Sequence, residues 1–252
     1  MNIRTVSQYL RVMLGAPNEK VGFDLVTRLG RRLLPNYRFT WPELAWFQNR
    51  ELRDVLSRFD ESEGFNAHRR FALQQLLRLT SNIPGDTAEC GVYRGCGSYI
   101  ILRANQRSSL DRVHHIFDSF AGLSSPSSRD GEYWAVNDLS VEERVVRDNL
   151  SAFDGVKLYK GWIPDRFADV ADRTFSFVHV DVDLHQPTLQ SLEFFYDRLN
   201  MGAIFVSDDY GFLTCPGATA AIDNFLLLKP EKMISLPGGG GFFLKGCVTS
   251  PE

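Results

Sequence analysis

The sequence is poor in cysteine, in long apolar runs and in net charge of either sign. Four cysteines stand among 252 residues and none belongs to a Cys-x-x-Cys pair, which argues against a disulfide scaffold and a structural zinc site. No apolar run approaches the ~20 residues that span a bilayer, and no apolar signal core follows the N-terminus. The 28 Lys and Arg residues against 31 Asp and Glu argue against a general nucleic-acid binder. We therefore expect a globular protein of the reducing cytoplasm.

The chain divides into a helical first part and a second part in which strands and helices alternate. In the first part, apolar residues such as Val6, Leu10 and Met13 recur at helical spacing. Strand–helix alternation in the second part predicts a parallel sheet with helices on both faces. We thus predict a helical N-terminal extension, residues 1–84, that carries substrate or dimer contacts, and a catalytic domain, residues 85–252. Because the extension offers spare apolar stripes, we also expect a homo-oligomer.

The predicted sheet has five parallel strands and then a hairpin. Only Pro237 and four glycines separate the last two strands, a gap too short for a helical crossover. This α/β topology of seven strands is typical of Rossmann-like class I methyltransferases, which use S-adenosylmethionine (SAM); as a topology analogy it sets only an expectation. The predicted strands are 87–92, 113–117, 156–159, 175–180, 203–207, 233–236 and 242–245, and the helices of this part are 100–105, 142–150, 165–171, 188–199 and 218–228.

Three glycines follow the first predicted strand and precede a helix. Gly91, Gly95 and Gly97 are spaced as G-x-x-x-G-x-G, which is neither the dinucleotide fingerprint nor a P-loop. Glycine there permits a sharp turn and the close approach of a ligand. Glu89, at the strand end, would repel a phosphate but suits a cationic group such as the ammonium of a methionine moiety. Tyr93, within the turn, is a candidate contact to cofactor or substrate, and a tight turn without a ligand is the alternative.

Two further residues are placed to bind a nucleoside. Asp118 ends the second predicted strand, roughly 20 residues past the glycine turn, where an acidic side chain binds ribose hydroxyls in NAD and SAM folds alike. A turn or helix cap is the other interpretation of Asp118. Trp162 follows the third predicted strand and is a candidate to pack on an adenine face, with a core position as the alternative. We count Ser98, Ser119, Gly161 and Asp181 among the cofactor-binding candidates as well.

Four aspartates cluster after the fourth and fifth predicted strands: Asp181 and Asp183 after the former, Asp208 and Asp209 after the latter. Neighbouring parallel strands lie ~4.8 Å apart and end at the edge of the sheet where ligands bind. Asp181, Asp208 and Asp209 would repel one another there unless a cation neutralised them. Hard oxygen ligands favour Mg²⁺ over zinc. The pattern therefore predicts a metal site formed by these three residues.

A general base is expected beside this metal site. Mg²⁺ can orient two substrate oxygens and lower the pKa of a hydroxyl. Asp183 is then placed to accept the proton, and His185 is the competing base because its ordinary pKa lies nearer neutrality.

The polar segment 124–138 lacks periodicity and is long for a compact domain. We interpret it as an active-site lid that brings Tyr133 and Trp134 to the substrate.

Taken together, these motifs resemble the macrocin, mycinamicin and noviose O-methyltransferases, which methylate sugar hydroxyls with SAM and Mg²⁺. The resemblance covers about two thirds of the chain and depends on the residues around Glu89, Asp118, Asp181 and Asp208. It implies metal ligands at Asp181, Asp208 and Asp209, a base at Asp183, and SAM contacts at Glu89, Gly91, Gly95 and Asp118. The family usually has tyrosine at the position of His185 and Glu-Ser at the positions of Gln186 and Pro187.

The sequence thus predicts a SAM-dependent, Mg²⁺-dependent O-methyltransferase acting on a sugar or a glycosylated natural product. The alternative is a metal-dependent glycosyltransferase, because Asp181-Val182-Asp183 is also a D-x-D pattern. Glu89 argues against that alternative, since a diphosphate would be repelled in the glycine turn. A third interpretation, a binding domain on an inherited fold, predicts neither turnover nor a metal effect.

Overall fold

The computed structural model describes residues 3–15, 18–35, 44–62 and 66–249. They belong to two compact units, one within residues 1–49 and one within residues 50–252. The smaller unit holds helices α1 (Ile3–Met13) and α2 (Glu19–Leu33), and the Tyr9 hydroxyl of α1 donates a hydrogen bond to Asp24 of α2. None of the helices in the described part of the chain combines the length and apolarity that a bilayer crossing needs.

The larger unit contains six helices among its described residues and a seven-stranded sheet. Its helices are α3 (Arg50–Phe59), α4 (Asn66–Leu79), α5 (Cys96–Arg107), α6 (Glu143–Leu150), α7 (His185–Phe195) and α8 (Pro216–Leu226). Its strands are β1 (Asp86–Cys90), β2 (His114–Asp118), β3 (Val156–Lys160), β4 (Phe175–Val180), β5 (Leu199–Ser207), β6 (Ile234–Ser235) and β7 (Gly241–Leu244).

The strand order confirms the predicted fold class. The sheet runs β3-β2-β1-β4-β5-β7-β6; the first five strands are parallel, and β7 pairs antiparallel with both β5 and β6. β4 lies between β1 and β5 and is buried along its whole length, as its lack of polar residues predicts. The carboxyl ends of the parallel strands therefore meet at one edge of the sheet, with β1 and β4 at its centre.

Several elements differ from their predicted bounds, among them the following two. The helix expected over 165–171 is a single 3₁₀ turn, Phe167–Val170, because its two buried side chains stand three residues apart and one turn places both in the core. β5 begins at Leu199, earlier than expected, and the pairing with β4 is irregular between Leu199 and Ile204. Gly202 lies in this irregularity with φ +82°, a backbone conformation that favours glycine.

Apolar side chains cover both faces of the sheet. On one face, Phe59 and Leu73 from α3 and α4 pack with Ile101 of α5 against the strands. On the other face, Leu192 and Phe195 of α7 pack against the strands together with Phe167 and Ile222. Helices α3 and α4 thus belong to the unit that holds the sheet, although they precede the predicted boundary between residues 84 and 85. That boundary stays a prediction.

Candidate active site

A cavity of about 600 Å³ opens at the carboxyl ends of the parallel strands. Each of the five parallel strands contributes a residue to its wall at or just after the strand end, as the strand order requires. These residues are Gly91 after β1, Asp118 of β2, Gly161 after β3, Asp181 after β4 and Asp209 after β5. The cavity thus lies where ligands bind in open α/β sheets.

The structure places most of the predicted site residues on the cavity wall, and their assigned roles stay predictions. The residues that line it are Gly91, Tyr93, Asp118, Ser119, Gly161, Trp162, Asp181, Asp183 and Asp209. The predicted residues that do not line it are Glu89, Gly95, Ser98, His185 and Asp208. Tyr133 and Trp134 of the segment 124–138 also form part of the wall.

Glu89 is turned into the protein, beneath the glycine turn. Its side chain is 2% exposed, and its Oε1 lies 2.7 Å from Nδ1 of His179 on β4. Ser98 donates a hydrogen bond to the other oxygen of this carboxylate. A Cβ at Gly97 would lie 2.1 Å from Glu89 Oε1, so the helix start needs glycine there to accommodate the carboxylate. Glu89 and Ser98 therefore form a buried polar contact behind the cavity wall.

Gly91 allows the ends of β1 and β4 to pass closely. It adopts φ +77°, and a Cβ on it would lie 1.9 Å from the carbonyl oxygen of Asp181. The Asp181 amide in turn donates a hydrogen bond of 2.9 Å to the Cys90 carbonyl. The cavity wall at this point is therefore backbone packed on backbone.

We expect Gly91→Ala to destabilise the fold. Gly211→Ala is the matched control, because Gly211 has φ +79° but open space around its Cβ position. The control should cost about 1–2 kcal/mol, the usual penalty of a left-handed backbone for alanine. The contact with Asp181 should add at least ~2 kcal/mol for Gly91→Ala. Urea unfolding of both variants measures the difference, and equal losses would contradict the close packing.

Asp118 caps a turn and also lines the cavity. Its Oδ2 accepts a hydrogen bond of 2.7 Å from the Val92 amide, and its Oδ1 accepts one of 2.6 Å from the Phe120 amide. Burial raises the pKa of Asp118 above its ordinary value, against the effect of these amides. A carboxylate offers about four lone-pair sites, so Asp118 can still accept a hydrogen bond from a hydroxyl. Both interpretations of this residue are thus compatible with its position.

Asp208 is neutralised within the protein. Its carboxylate accepts a 2.8 Å hydrogen bond from Arg70, lies 3.4 Å from Arg69 Nη1 and lies 3.0 Å from Nε2 of His179. Burial opposes ionisation, but the charges of His179 and the two arginines hold the pKa of Asp208 well below its ordinary value. The pKa of His179 is raised to about 10, because the charges of Asp208 and Glu89 outweigh its burial. A buried chain of alternating charges therefore lies behind the cavity.

The carboxylates that face the cavity repel one another, although Asp181 lies 3.9 Å from Arg69 Nη1 and 3.7 Å from Arg70 Nη2. Burial and the neighbouring charge of Asp181 raise the pKa of Asp183 to about 7. Burial and the charges of Asp183 and Asp181 likewise raise the pKa of Asp209 well above its ordinary value. This occurs although Asp209 Oδ2 accepts hydrogen bonds of 3.0 and 2.8 Å from the Val182 and Asp183 amides. A cation at this wall would relieve the repulsion.

Two groups of donor atoms could hold a cation here, and they divide the predicted ligands, with Asp181 and Asp208 in one group and Asp209 in the other. Potential ligand atoms lie within 4.8 Å of one another in two groups, His179 with Asp181 and Asp208, and Asp183 with Asp209 and Cys215. Carboxylate oxygens dominate both groups, and such oxygens suit Mg²⁺. The predicted ligands Asp181 and Asp209 face the cavity, whereas Asp208 borders it from behind. A carboxylate oxygen bound to Arg70 keeps a second lone pair, so Asp208 remains chemically able to ligate.

His185 differs from Asp183 in its surroundings. It is buried as the first residue of α7, its Nε2 lies 3.2 Å from Arg129 Nη1, and it does not line the cavity. Asp183 does line the cavity and adopts φ +59°, a strained conformation for a residue with a side chain. Between the two candidate bases, the geometry favours Asp183.

Two arginines of α4 lie at the site although the sequence pattern did not predict them there. Arg69 and Arg70 lie in the predicted extension, where charged helical residues usually face solvent. Their signal was nevertheless present: Arg70 shares the buried face of α4 with Ala67, Leu73 and Leu77, and a charge on an apolar stripe needs a partner. Phe212 and Cys215, which also line the cavity, follow β5 in a stretch without periodicity.

The comparisons with known proteins identify the family. Residues 67–234 match the family described as macrocin O-methyltransferase (TylF). The chain belongs to the TylF family. This match confirms the predicted resemblance. It also confirms the predicted enzyme class, because the relatives described next are O-methyltransferases. Arg69 and Arg70 of α4 lie within the matched residues.

TylF relatives of known activity share about a third or less of their aligned residues with this chain. Demethyldecarbamoylnovobiocin O-methyltransferase of Streptomyces niveus is 28% identical over 183 residues, which cover 64% of this chain and 68% of the relative. A 4'-O-methyltransferase of Streptomyces olivaceus, which acts on a rhamnosyl-tetracenomycin, is 31% identical over 153 residues, covering 56% and 58%. The chain thus spans less than two thirds of the length of the second relative.

Solved structures share the fold of this TylF chain. The calicheamicin methyltransferase CalS11 superimposes with a TM-score of 0.64 at 20% identity, covering 85% of this chain and 97% of that one. The O-methyltransferase NovP superimposes with a TM-score of 0.59 at 22% identity, covering 90% and 99%. At these identities the likeness concerns the fold alone.

Proposed function

We propose that this chain transfers the methyl group of SAM to a hydroxyl of a sugar or of a glycosylated natural product. The observation that carries the proposal is the position of Asp183, a carboxylate with a raised pKa on the wall of a cavity formed by all five parallel strand ends. Membership of the TylF family supports methyl transfer. The rhamnosyl substrate in the name of the Streptomyces olivaceus relative supports a sugar acceptor.

One side of the cavity is suited to SAM. Gly91 permits close approach of the backbone, and Asp118 and Ser119 offer oxygen atoms for the ribose. Tyr93 and Trp162 line the cavity and remain 39% and 42% exposed, so part of each ring surface is available to a ligand. Glu89 and Ser98 would then support this wall from behind rather than contact the methionine group, and Gly95 would serve as the left-handed N-cap of α5.

The other side of the cavity is suited to a sugar. Tyr133, Trp134 and Phe212 offer aromatic surfaces for the apolar faces of a pyranose ring. Gln186 and Gln190 line the same cavity and can both donate and accept hydrogen bonds with hydroxyls. Sites for small molecules commonly combine aromatic walls with a few polar groups that fix the orientation of the ligand.

In the proposed reaction, Asp183 accepts the proton of the acceptor hydroxyl. The oxygen forms a bond to the methyl carbon as the bond from that carbon to the sulfonium sulfur breaks, so S-adenosylhomocysteine and the methyl ether are the products. The protein supplies mainly position and a proton acceptor, because the sulfonium is already a strong electrophile. The raised pKa of Asp183, about 7, suits a base that works near neutrality.

We also propose that Asp181, Asp208 and Asp209 hold Mg²⁺. The mutual repulsion of the carboxylates that face the cavity, which raises the pKa values of Asp181 and Asp209, supports this proposal. When bound, the ion would orient the acceptor oxygens and lower the pKa of the hydroxyl. Arg70 and His179 would keep Asp208 ionised and in place, and the N–H groups of Val182 and Asp183 would do the same for Asp209.

Isothermal titration calorimetry tests the proposed cofactor against the alternative. We expect SAM and S-adenosylhomocysteine to bind in the micromolar range. A nucleotide diphosphate sugar should bind only as an acceptor of the methyl group, so that its sugar becomes methylated. Transfer of the sugar itself would favour the glycosyltransferase instead.

For the metal, the electron paramagnetic resonance signal of Mn²⁺ should decrease on titration with the protein, and Asp209→Asn should weaken this binding at least tenfold. Unchanged Mn²⁺ binding in this variant would contradict the ligand assignment.

A further inference from the structure

The segment 124–138 is fastened by one buried carboxylate. Asp130 is 3% exposed, although the residues around it in the segment are exposed. Its Oδ2 accepts hydrogen bonds from the amide and hydroxyl of Ser127, at 2.7 and 2.6 Å, which closes a tight turn. Its Oδ1 accepts a 2.6 Å hydrogen bond from the amide of His185, which lies 55 residues further along the chain. The same side chain thus shapes the segment and attaches it to α7.

Asp130 caps α7 from a distance. The N-cap residue of this helix, Leu184, forms no side-chain cap hydrogen bond, and the first amide of the helix is that of His185. A carboxylate at a helix N-terminus satisfies an N–H group and interacts favourably with the helix dipole. Because Asp183 directly precedes Leu184, this contact also holds the backbone that carries the proposed base.

The start of α8 is built to admit this carboxylate. Gly217 is the second residue of α8, and a Cβ on it would lie 2.1 Å from Asp130 Oδ1 and 3.0 Å from the Cβ of His185. Any side chain at position 217 would therefore displace the carboxylate from its seat. The position of the Asp130 carboxylate is therefore defined by the first residues of α7 and α8, in addition to the hydrogen bonds within the segment.

Closure of the segment completes the wall next to Asp183. Beyond Asp130, Trp134 lines the cavity and its Nε1 lies 3.4 Å from Cys215 Sγ. Cys215 is 3% exposed, and its Sγ lies 3.6 Å from Asp183 Oδ1. The segment therefore covers the Cys215 thiol and places an aromatic ring near the proposed base.

We propose that Asp130 is a positioning residue that closes the segment 124–138 onto α7 and α8 and thereby completes the acceptor side of the active site. Its importance for catalysis rests on the proposed function, but the closure itself does not. Release of Asp130 should open the segment, expose the Cys215 thiol and free the His185 amide, while the core of the unit stays folded.

Two variants release the carboxylate in different ways. Asp130→Ala removes it, and Gly217→Ala leaves it intact but fills its seat. Asp138→Asn is the matched control, because among the contacts described the Asp138 carboxylate accepts a hydrogen bond only from the Ala135 amide, within the segment. In full-length protein, maleimide labelling followed by mass spectrometry reports each cysteine separately. Buried Cys90 and Cys96 report global opening, and exposed Cys247 reports the reagent.

We expect both release variants to label Cys215 at least tenfold faster than the wild type, with Cys90 and Cys96 unchanged. Hydrogen exchange at the His185 amide and tryptic cleavage after Arg129 should accelerate in parallel, and Asp138→Asn should behave as the wild type. Wild-type rates at Cys215 and His185 in both variants, or equal acceleration at Cys90 and Cys96, would overturn the proposal. Calorimetry with S-adenosylhomocysteine on the wild type tests the proposed function separately, since its failure leaves the labelling result intact.

Discussion

Asp183→Asn is expected to lower the rate of methyl transfer by about 10³-fold while leaving the affinity for SAM within a few-fold of the wild type. A positioned general base contributes roughly 10²–10⁴-fold, and the asparagine amide cannot accept the proton. The substitution is nearly isosteric, and asparagine tolerates the left-handed backbone of this position, φ +59°. The loss should therefore report the missing base and not a rearranged site. Single-turnover kinetics with saturating SAM, together with calorimetry, measure the two quantities.

His185→Gln is the control for this prediction. His185 faces Arg129 and does not line the cavity, so its loss should reduce the rate far less than Asp183→Asn. If His185→Gln abolished turnover and Asp183→Asn retained it, the base would be His185. A loss of SAM affinity in Asp183→Asn would instead show that this carboxylate holds the cofactor.

Arg70→Met is expected to destabilise the larger unit by about 3–5 kcal/mol, the cost of leaving buried charges without their partner. The Arg70 guanidinium is buried, with Nε 2.7 Å from Glu61 Oε2 and Nη1 2.8 Å from Asp208 Oδ2. Methionine keeps the apolar stem of the side chain but removes the cation beside Glu61 and leaves Asp208 with only Arg69 and His179. Urea unfolding followed by circular dichroism measures the loss, and weaker Mn²⁺ binding should accompany it as Asp208 loses its position.

Two further variants sharpen the Arg70 prediction. Arg103→Met makes the same change in an exposed pair, since Arg103 lies 2.9 Å from Glu51 with both side chains well exposed, and should cost at most ~1 kcal/mol. Glu61→Gln combined with Arg70→Met should recover part of the stability, because one uncompensated charge is then removed. Equal losses for Arg70→Met and Arg103→Met would mean that the buried pairing contributes nothing beyond a surface pair.

Much of the sheet could be predicted from local pattern. The strand over 175–180 has too few polar residues to be half-exposed, and the structure buries all of it. The turn of Gly91 could be predicted as well, although the reason for it could not. Its Cβ position is filled by the carbonyl of Asp181, a residue 90 positions away on the adjacent strand. Local sequence shows that glycine stands there but not which backbone passes it.

The sequence by itself determined which residues reach the edge of the sheet. Asp118, Asp181 and Asp209 line one cavity because they stand at or just after strand ends, and parallel strands end on the same side. Only the tertiary structure decided where the charges of Glu89 and Asp208 are compensated. Their partners lie 90 residues away for Glu89 and His179, and 138 residues away for Asp208 and Arg70. A buried carboxylate is stable only beside a donor or cation, and packing of distant helices and strands, not local spacing, selects that partner.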